Sequence, residues 1–359
     1  MKLLVFNWKD LDHPAAGGAE VFTERILAEL VRRGHEVRYF VAAVEGRPDR
    51  EWRDGYEIIR RGSRLGVYRE ARKYWHAGGR QWADIVLDEI NTRPFLTPRY
   101  VEEVPILALV HQLAREIWRY EMPFPASVAG RYYFEAHWLR AYRDVPTITD
   151  GPSSARSLEG YGLRNVEPVP MGADPIHRPD VPKEAVPTVV FLGRLAAMKR
   201  PMDAVRAFQR LGERRPDAQM WVMGDGPMKA KLQSLGVDHV DVLGRVSAEE
   251  REDRLARAHV LLATSVREGW GLNVSEAAAC GTPTIGYAVP GLEDSVPASG
   301  GALVPPETGA LGDALCRFFD GGLVLEPRIS TVPWSVTTDA VESRLTDLLE
   351  HWQAAKRGR

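Results

Sequence analysis

The chain has 359 residues, 44% apolar and 27% charged, with 47 Lys and Arg against 49 Asp and Glu and a formal net charge of −2. That length suits two domains of roughly 100–200 residues. The composition excludes bulk disorder, and the near-neutral charge argues against a general nucleic-acid binder, which draws its affinity from phosphate neutralisation. Two cysteines, Cys280 and Cys316, are too few for a disulfide framework or a cysteine-built zinc site.

The N-terminus reads as a buried strand, Leu3–Phe6, too short in its apolar run for a signal peptide. No run of about 18 uncharged apolar residues occurs, so a cytoplasmic protein is expected. After a long loop, Asn7–Ala16, comes a helix over Glu20–Arg33, with Val21, Ile26, Leu27, Leu30 and Val31 at helical spacing and Gly34 as its stop. Strands are expected at Val37–Val41, Ile85–Leu87, Ile106–Val110 and Thr147–Thr149. Between them, Arg60–Arg80 sets Arg60, Arg61, Arg64, Arg69, Arg72, Lys73 and Arg80 among Leu65, Val67, Tyr68, Tyr74 and Trp75. This reads as the solvated face of a core-packed helix, and it also has the composition of a segment peripheral to an anionic membrane.

The rhythm restarts near residue 186. Strands Val189–Leu192, Met220–Met223, Val240–Leu243, Val260–Ala263 and Thr284–Tyr287 alternate with helices, the first over Pro201–Arg214. An amphipathic helix over Thr338–Trp352 ends the chain. Alternation of this kind predicts two α/β halves, each a parallel sheet covered on both faces. The stretch holding Pro168, Pro170, Pro175, Pro179, Pro182 and Pro187 is the expected boundary.

Doubly wound sheets bind ligands beyond the carboxyl ends of their strands. The first such turn lacks Gly-x-Gly-x-x-Gly, which counts against a nicotinamide enzyme. It offers Gly17-Gly18-Ala19-Glu20 instead, a helix entry whose N–H groups suit an anion, or a plain loop in which Glu20 complements the helix dipole. In the second half, Gly193-Arg194 and Lys199-Arg200 follow a strand, a cation pair fit for a diphosphate or a solvated basic turn. Gly224-Asp225-Gly226-Pro227 reads as a tight turn into a helix, with Pro227 at an early helical position. The run Glu268-Gly269-Trp270-Gly271-Leu272-Asn273-Val274-Ser275-Glu276 places the start of a helix, near Asn273, between two carboxylates. Bare helix amides hold phosphate oxygens, and carboxylates accept hydroxyl hydrogen bonds. Asn273 and Glu276 also match a capping box.

Taken together, these residues resemble a retaining glycosyltransferase of family 4, with its E-x7-E signature at Glu268 and Glu276 continuing into Ala277-Ala278-Ala279-Cys280-Gly281-Thr282-Pro283. Pro170-Met171-Gly172-Ala173-Asp174 resembles the family's interdomain segment, with Met171 where Asn is usual. The resemblance implies the GT-B fold: α/β, two Rossmann-like doubly wound domains facing a central cleft. It implies an acceptor-binding domain over 1–172, a donor-binding domain over 173–337 and a C-terminal helix, 338–359, crossing back to the first.

The implied activity is transfer of a sugar from a nucleotide-diphosphate sugar to a hydroxyl acceptor with retention, by front-face attack in which the leaving phosphate takes the acceptor proton. Arg194 and Lys199 would neutralise the diphosphate, and Glu268 would hold the transferred sugar. Backbone at Gly271, Leu272 and Asn273 would reach sugar and phosphates, and Glu276 the ribose. Gly17, Gly18, Gly193 and Gly224 would line the donor, with Arg245 and Val246 at the base. His111 would lie beside the reacting carbon. The family often continues that histidine with Asp, whereas Gln112 follows here.

Asp10-Leu11-Asp12 has the Asp-x-Asp spacing of metal-dependent GT-A enzymes but none of the surrounding architecture, so no metal and no cofactor beyond the co-substrate are expected. The donor base and sugar and the oligomeric state stay open, as does the acceptor: small molecule, glycan or lipid-linked. Alternatives are another activity on the fold, such as a nucleotide-sugar epimerase or a glycoside phosphorylase, and a non-catalytic peripheral membrane or carbohydrate-binding protein.

Overall fold

The computed structural model describes residues 1–176 and 181–358; Pro179 and Arg359 of the expectations above lie outside them. The chain divides into two compact units. One comprises Met1–Trp118, Met122–Asp174 and Val332–Arg359; the other comprises Pro175–Thr331 with Arg119–Glu121.

In the first unit, strands β1 (Lys2–Phe6), β2 (Glu36–Val41), β3 (Arg50–Arg53), β4 (Tyr56–Arg60), β5 (Ile85–Glu89), β6 (Ile106–Val110), β7 (Thr147–Thr149) and β8 (Val166–Pro168) form one sheet. Their order is β3-β4-β2-β1-β5-β6-β7-β8. All neighbours are parallel except β3 and β4. That pair is a hairpin over Asp54-Gly55, both with positive φ, the requirement of a type I′ turn. Leu3–Phe6 are wholly buried, as a central parallel strand demands. Helix α1 (Gly18–Arg32) lies between β1 and β2, and α2 (Val67–Tyr74) follows β4.

A short parallel pair, β9 (Gly172–Ala173) with a strand at Val332–Pro333, brings the C-terminal segment into this unit. In the second unit, β10 (Thr188–Leu192), β11 (Gln219–Met223), β12 (Val240–Gly244), β13 (Val260–Ala263), β14 (Thr284–Tyr287) and β15 (Ala302–Val304) form an all-parallel sheet in the order β12-β11-β10-β13-β14-β15. Its helices include α3 (Pro201–Gly212), α4 (Ala248–Arg257) and α5 (Leu272–Ala279).

The last helix, α6, runs Trp334–Arg357, beginning before the expected Thr338 and ending beyond Trp352. The cause is packing. The Trp334 ring lies on Gly172, where a Cβ would come within 2.3 Å of it, and stands edge-to-face on Phe22 with centroids 5.9 Å apart. Further along, Arg33 reaches Glu342 at 2.5 Å and Asp339 at 2.6 Å, and His35 reaches Glu342 at 2.6 Å. His35 thus ties α6 to the start of β2.

Candidate active site

Strand order reverses between β10 and β13 in the second unit and between β1 and β5 in the first. The carboxyl ends flanking those reversals are where a doubly wound sheet leaves room for a ligand. In the second unit, Gly193 and Arg194 follow β10 and Thr264–Glu268 follow β13.

The Gly193–Leu195 loop is pinned to the next one. The Leu195 N–H donates to Asp225 O at 2.8 Å, and Met228 N–H to Leu195 O at 2.9 Å. A Cβ on Gly224 would sit 1.9 Å from Gly193 O, and one on Gly226 2.6 Å from Leu195 O; both glycines have positive φ. The turn thus exists to let two loops touch. The helix after it begins only at Lys229, so Pro227 lies before the helix rather than in its first turn. Gly224 N–H in turn donates to Gly244 O at 2.7 Å, which sets the backbone entering exposed Arg245 and half-buried Val246.

Arg194 is exposed and forms no ion pair among the described residues. Lys199 ends a 3₁₀ turn, Ala197–Lys199, and its ammonium pairs with the Glu268 carboxylate. Glu268 is buried; Ser265 Oγ also donates to it, and its N–H donates to Pro290 O at 3.0 Å.

Helix α5 opens at Gly271, in a left-handed conformation with φ 97° that favours glycine. Its first internal bond runs from Val274 N–H to Gly271 O, leaving Leu272 and Asn273 N–H without an intrahelical acceptor. The capping-box reading of Asn273 with Glu276 is overturned. Gly271 occupies the cap, Asn273 Nδ2 donates to Leu192 O at 2.9 Å, and Glu276 lies in the second turn, 3.4 Å from Arg251 Nη1 of α4. Burial raises the Glu276 pKa, against the pull of Arg251.

In the first unit, three neighbouring strands end in charged groups: Glu89 closes β5, His111 follows β6 and Asp150 follows β7. His111 is buried, with Nδ1 2.8 Å from Asp150 and Nε2 3.4 Å from Glu89. Burial alone would favour neutral imidazole, but the two carboxylates overcome it and hold the pKa up at about 10. Glu89 is itself held by Thr23 Oγ1 at 2.7 Å and Asn91 Nδ2 at 3.1 Å.

The Gly17-Gly18 entry lies beside β1, both glycines exposed. Gly17 N–H is taken by Glu20 Oε2 at 2.7 Å, and Lys9 Nζ meets the same oxygen at 3.0 Å. Glu20 therefore uses an amide that the anion reading had left free. Asp150, Glu89, Ser265 and Arg251 had not been singled out from the sequence. Asp150 was within reach, because it follows a strand that the pattern did predict.

Asp10 and Asp12 both accept from the buried Arg60 guanidinium, at 2.6 and 2.8 Å, and Asp12 also meets Arg53 and Arg47. Arg60 is 1% exposed; it does not belong to the solvated basic face. Among the described residues, no group of three or more His, Cys, Asp or Glu side chains is arranged to hold a metal.

A family model described as "Glycosyl transferases group 1" matches residues 174–322. A GDP-mannose-dependent alpha-(1-6)-phosphatidylinositol dimannoside mannosyltransferase of Mycobacterium tuberculosis is 30% identical over 330 residues, 84% of each chain. A 2-deoxystreptamine glucosyltransferase of Streptomyces kanamyceticus is 27% identical over 240 residues; the match covers 62% of this chain and 60% of that enzyme's length. Among solved structures, a sucrose-phosphate synthase from Thermosynechococcus elongatus superposes with a TM-score of 0.71 at 18% identity, over 99% of this chain and 98% of that one. The fold is GT-B. Two doubly wound units, the cation–carboxylate pair at the β10/β13 switch point and the 84% alignment agree: this chain belongs to the group 1 glycosyltransferases.

Proposed function

We infer that the protein transfers a sugar from a nucleoside-diphosphate sugar to a hydroxyl acceptor, with retention of anomeric configuration and without a metal ion. The observation that carries this reading is the Lys199–Glu268 pair at the switch point of the second unit. In a nucleotide sugar the anomeric carbon is bonded to the β-phosphate. A cation for the phosphate and a carboxylate for the sugar hydroxyls must therefore be neighbours. Exposed Arg194 on the adjoining loop, held in place by Gly224 and Gly226, supplies a second positive charge. The amides of Leu272 and Asn273 add fixed dipoles. Glu276, at the second turn of α5, is the group for the ribose.

Glycosyl transfer leaves negative charge on the departing diphosphate and positive charge on the sugar ring. Preorganised donors at the leaving group lower the barrier because they need no reorganisation as the charge develops. Arg194 and Lys199 do this with side chains and α5 with backbone. Asp150 and Glu89 favour the protonated form of the His111 imidazole, which makes it a poor general base. This agrees with a mechanism in which the leaving phosphate itself takes the acceptor proton. The donor of the mycobacterial relative is GDP-mannose by name, and the relatives act on an aminocyclitol and on a glycolipid by theirs, so the acceptor class is a hydroxyl on a small molecule or a lipid-linked glycan.

The test is a panel of UDP-, GDP-, ADP- and TDP-sugars incubated with candidate acceptors in excess chelator, read by mass spectrometry and by NMR of the new anomeric proton. An α-linked product from an α-donor in the presence of chelator is expected. Activity lost to chelator and restored by a divalent cation, or an inverted product, contradicts this reading. Conversion of the nucleotide sugar without any acceptor would indicate an epimerase instead.

A further inference from the structure

Half of the large apolar side chains that the described residues expose fall between 120 and 134. In the first unit these include Phe124 at 82% exposure and Tyr132 and Tyr133 at 64% each, with Met122, Val128 and Phe134 beside them in sequence. The Tyr133 and Phe134 rings lie 5.5 Å apart, and adjoining exposed apolar side chains mark an interaction surface where scattered single residues would not. Tyr132–Phe134 lie in a π-helical turn that runs into the helix Glu135–Leu139.

This segment is physically continuous with the basic helix α2. Phe134 stacks on Trp138 at 5.8 Å. The Arg93 guanidinium lies 6.0 Å from the Trp138 ring and 4.3 Å from the ring of Tyr68 in α2. On α2 and the turn after it, Arg69, Arg72, Lys73 and His76 recur at helical spacing and line an open groove of about 470 Å³. Leu65, 73% exposed, stands just before the helix. The one acidic residue from Arg60 to Arg80 is Glu70, 2.8 Å from Lys73 and 3.5 Å from Arg69. In a chain whose net charge is −2, this face is strongly positive.

We propose that the aromatic segment Met122–Phe134 and the basic face of α2 form one surface that docks onto an anionic lipid bilayer. Charge selects the occupant: a cationic groove on α2, linked through Tyr68, Arg93 and Trp138 to the exposed aromatic segment, matches negatively charged headgroups over an apolar boundary. Tyrosine suits that depth, because its ring is apolar and its hydroxyl stays wet. Neither half suffices alone. Weak insertion of a few rings and electrostatic attraction together give stable but salt-sensitive binding, the two-signal logic of peripheral proteins. Each exposed cation near such a surface strengthens partitioning by about fivefold.

The experiment uses the full chain with extruded vesicles, without donor or acceptor, so that failure of this proposal and failure of the glycosyl-transfer reading are seen separately. Vesicles of phosphatidylcholine alone are compared with vesicles containing about 30% phosphatidylglycerol, at about 0.05 M and about 0.5 M salt. Sedimentation with the anionic vesicles at low salt, and not with phosphatidylcholine, is expected. A Tyr132→Ser/Tyr133→Ser variant is expected to bind at least about tenfold more weakly, and an Arg69→Glu/Arg72→Glu/Lys73→Glu variant not at all. Wild-type melting temperatures in both variants establish that they fold; should the serine variant unfold, Tyr132→Phe/Tyr133→Phe, which keeps the rings, is expected to bind within about threefold of wild type. No sedimentation with anionic vesicles, or equal binding by the charge-reversed variant, overturns the proposal. So does concentration-dependent dimerisation that disappears in the tyrosine variant, which would assign the face to a second copy of the chain.

Discussion

Lys199 and Glu268 neutralise each other. Under the proposed function a donor diphosphate competes for the ammonium, and removing the ammonium then removes an interaction that strengthens as the leaving group gains charge. Lys199→Ala and Arg194→Ala are each expected to lower kcat by about 10²–10³-fold, while Glu276→Gln, which touches only the ribose under this reading, is expected to raise the donor KM by about tenfold or more with kcat little changed. Steady-state kinetics separate the two classes; near-normal turnover in both cation variants removes them from the mechanism. His111 is the other group whose chemistry is set by its neighbours. Its pKa, held at about 10 by Asp150 and Glu89 against the effect of burial, lies above the usual 6.5. The stabilisation this implies is complete below pH 6.5 and is lost as pH rises from there through about 10. Imidazole NMR is expected to show His111 still protonated at pH 8. In Asp150→Asn its titration is expected at lower pH, and the loss of stability with rising pH is expected to be smaller. An unchanged titration would remove Asp150 as the controlling partner.

At the scale of elements, what the sequence conveys depends on whether the cause is local. The central strands β1, β6, β10 and β13 are short apolar runs, and their periodicity marks them without help. The hairpin β3–β4 was absent from the expectations, although Asp54-Gly55 is a strong hairpin dipeptide. Tyr56–Arg60 is charged at both Glu57 and Arg60 and still buried, because Arg60 meets Asp10 and Asp12 from a distant part of the chain and Glu51 from the partner strand of the hairpin. Only the fold assembles that network. Removing the guanidinium would leave Asp10 buried and unpaired, so Arg60→Leu is expected to cost about 3–5 kcal/mol, read as a lower urea midpoint. Gly224 is likewise explained by another loop: a Cβ there meets Gly193 O. Gly224→Ala is expected to cost more than about 1 kcal/mol and to weaken donor binding by moving the Arg194 loop. An alanine variant with wild-type stability and donor affinity would contradict that account of the turn.

For the whole molecule, two doubly wound sheets were legible because strand and helix alternate twice along the chain, and the E-x7-E run was legible because its residues are contiguous. The pairings Lys199–Glu268, Glu276–Arg251 and His111–Asp150 span 69, 25 and 39 positions, and no local pattern announces them. Glycosyl transfer as proposed requires the second unit to hold a nucleoside diphosphate through positive side chains. Isothermal titration of UDP, GDP, ADP and TDP into the wild-type protein and into Lys199→Ala and Arg194→Ala tests that requirement directly. At least one of the four is expected to bind the wild type, with affinity lowered by at least about tenfold in each variant. Binding of none of them, or full affinity in both variants, would contradict the account.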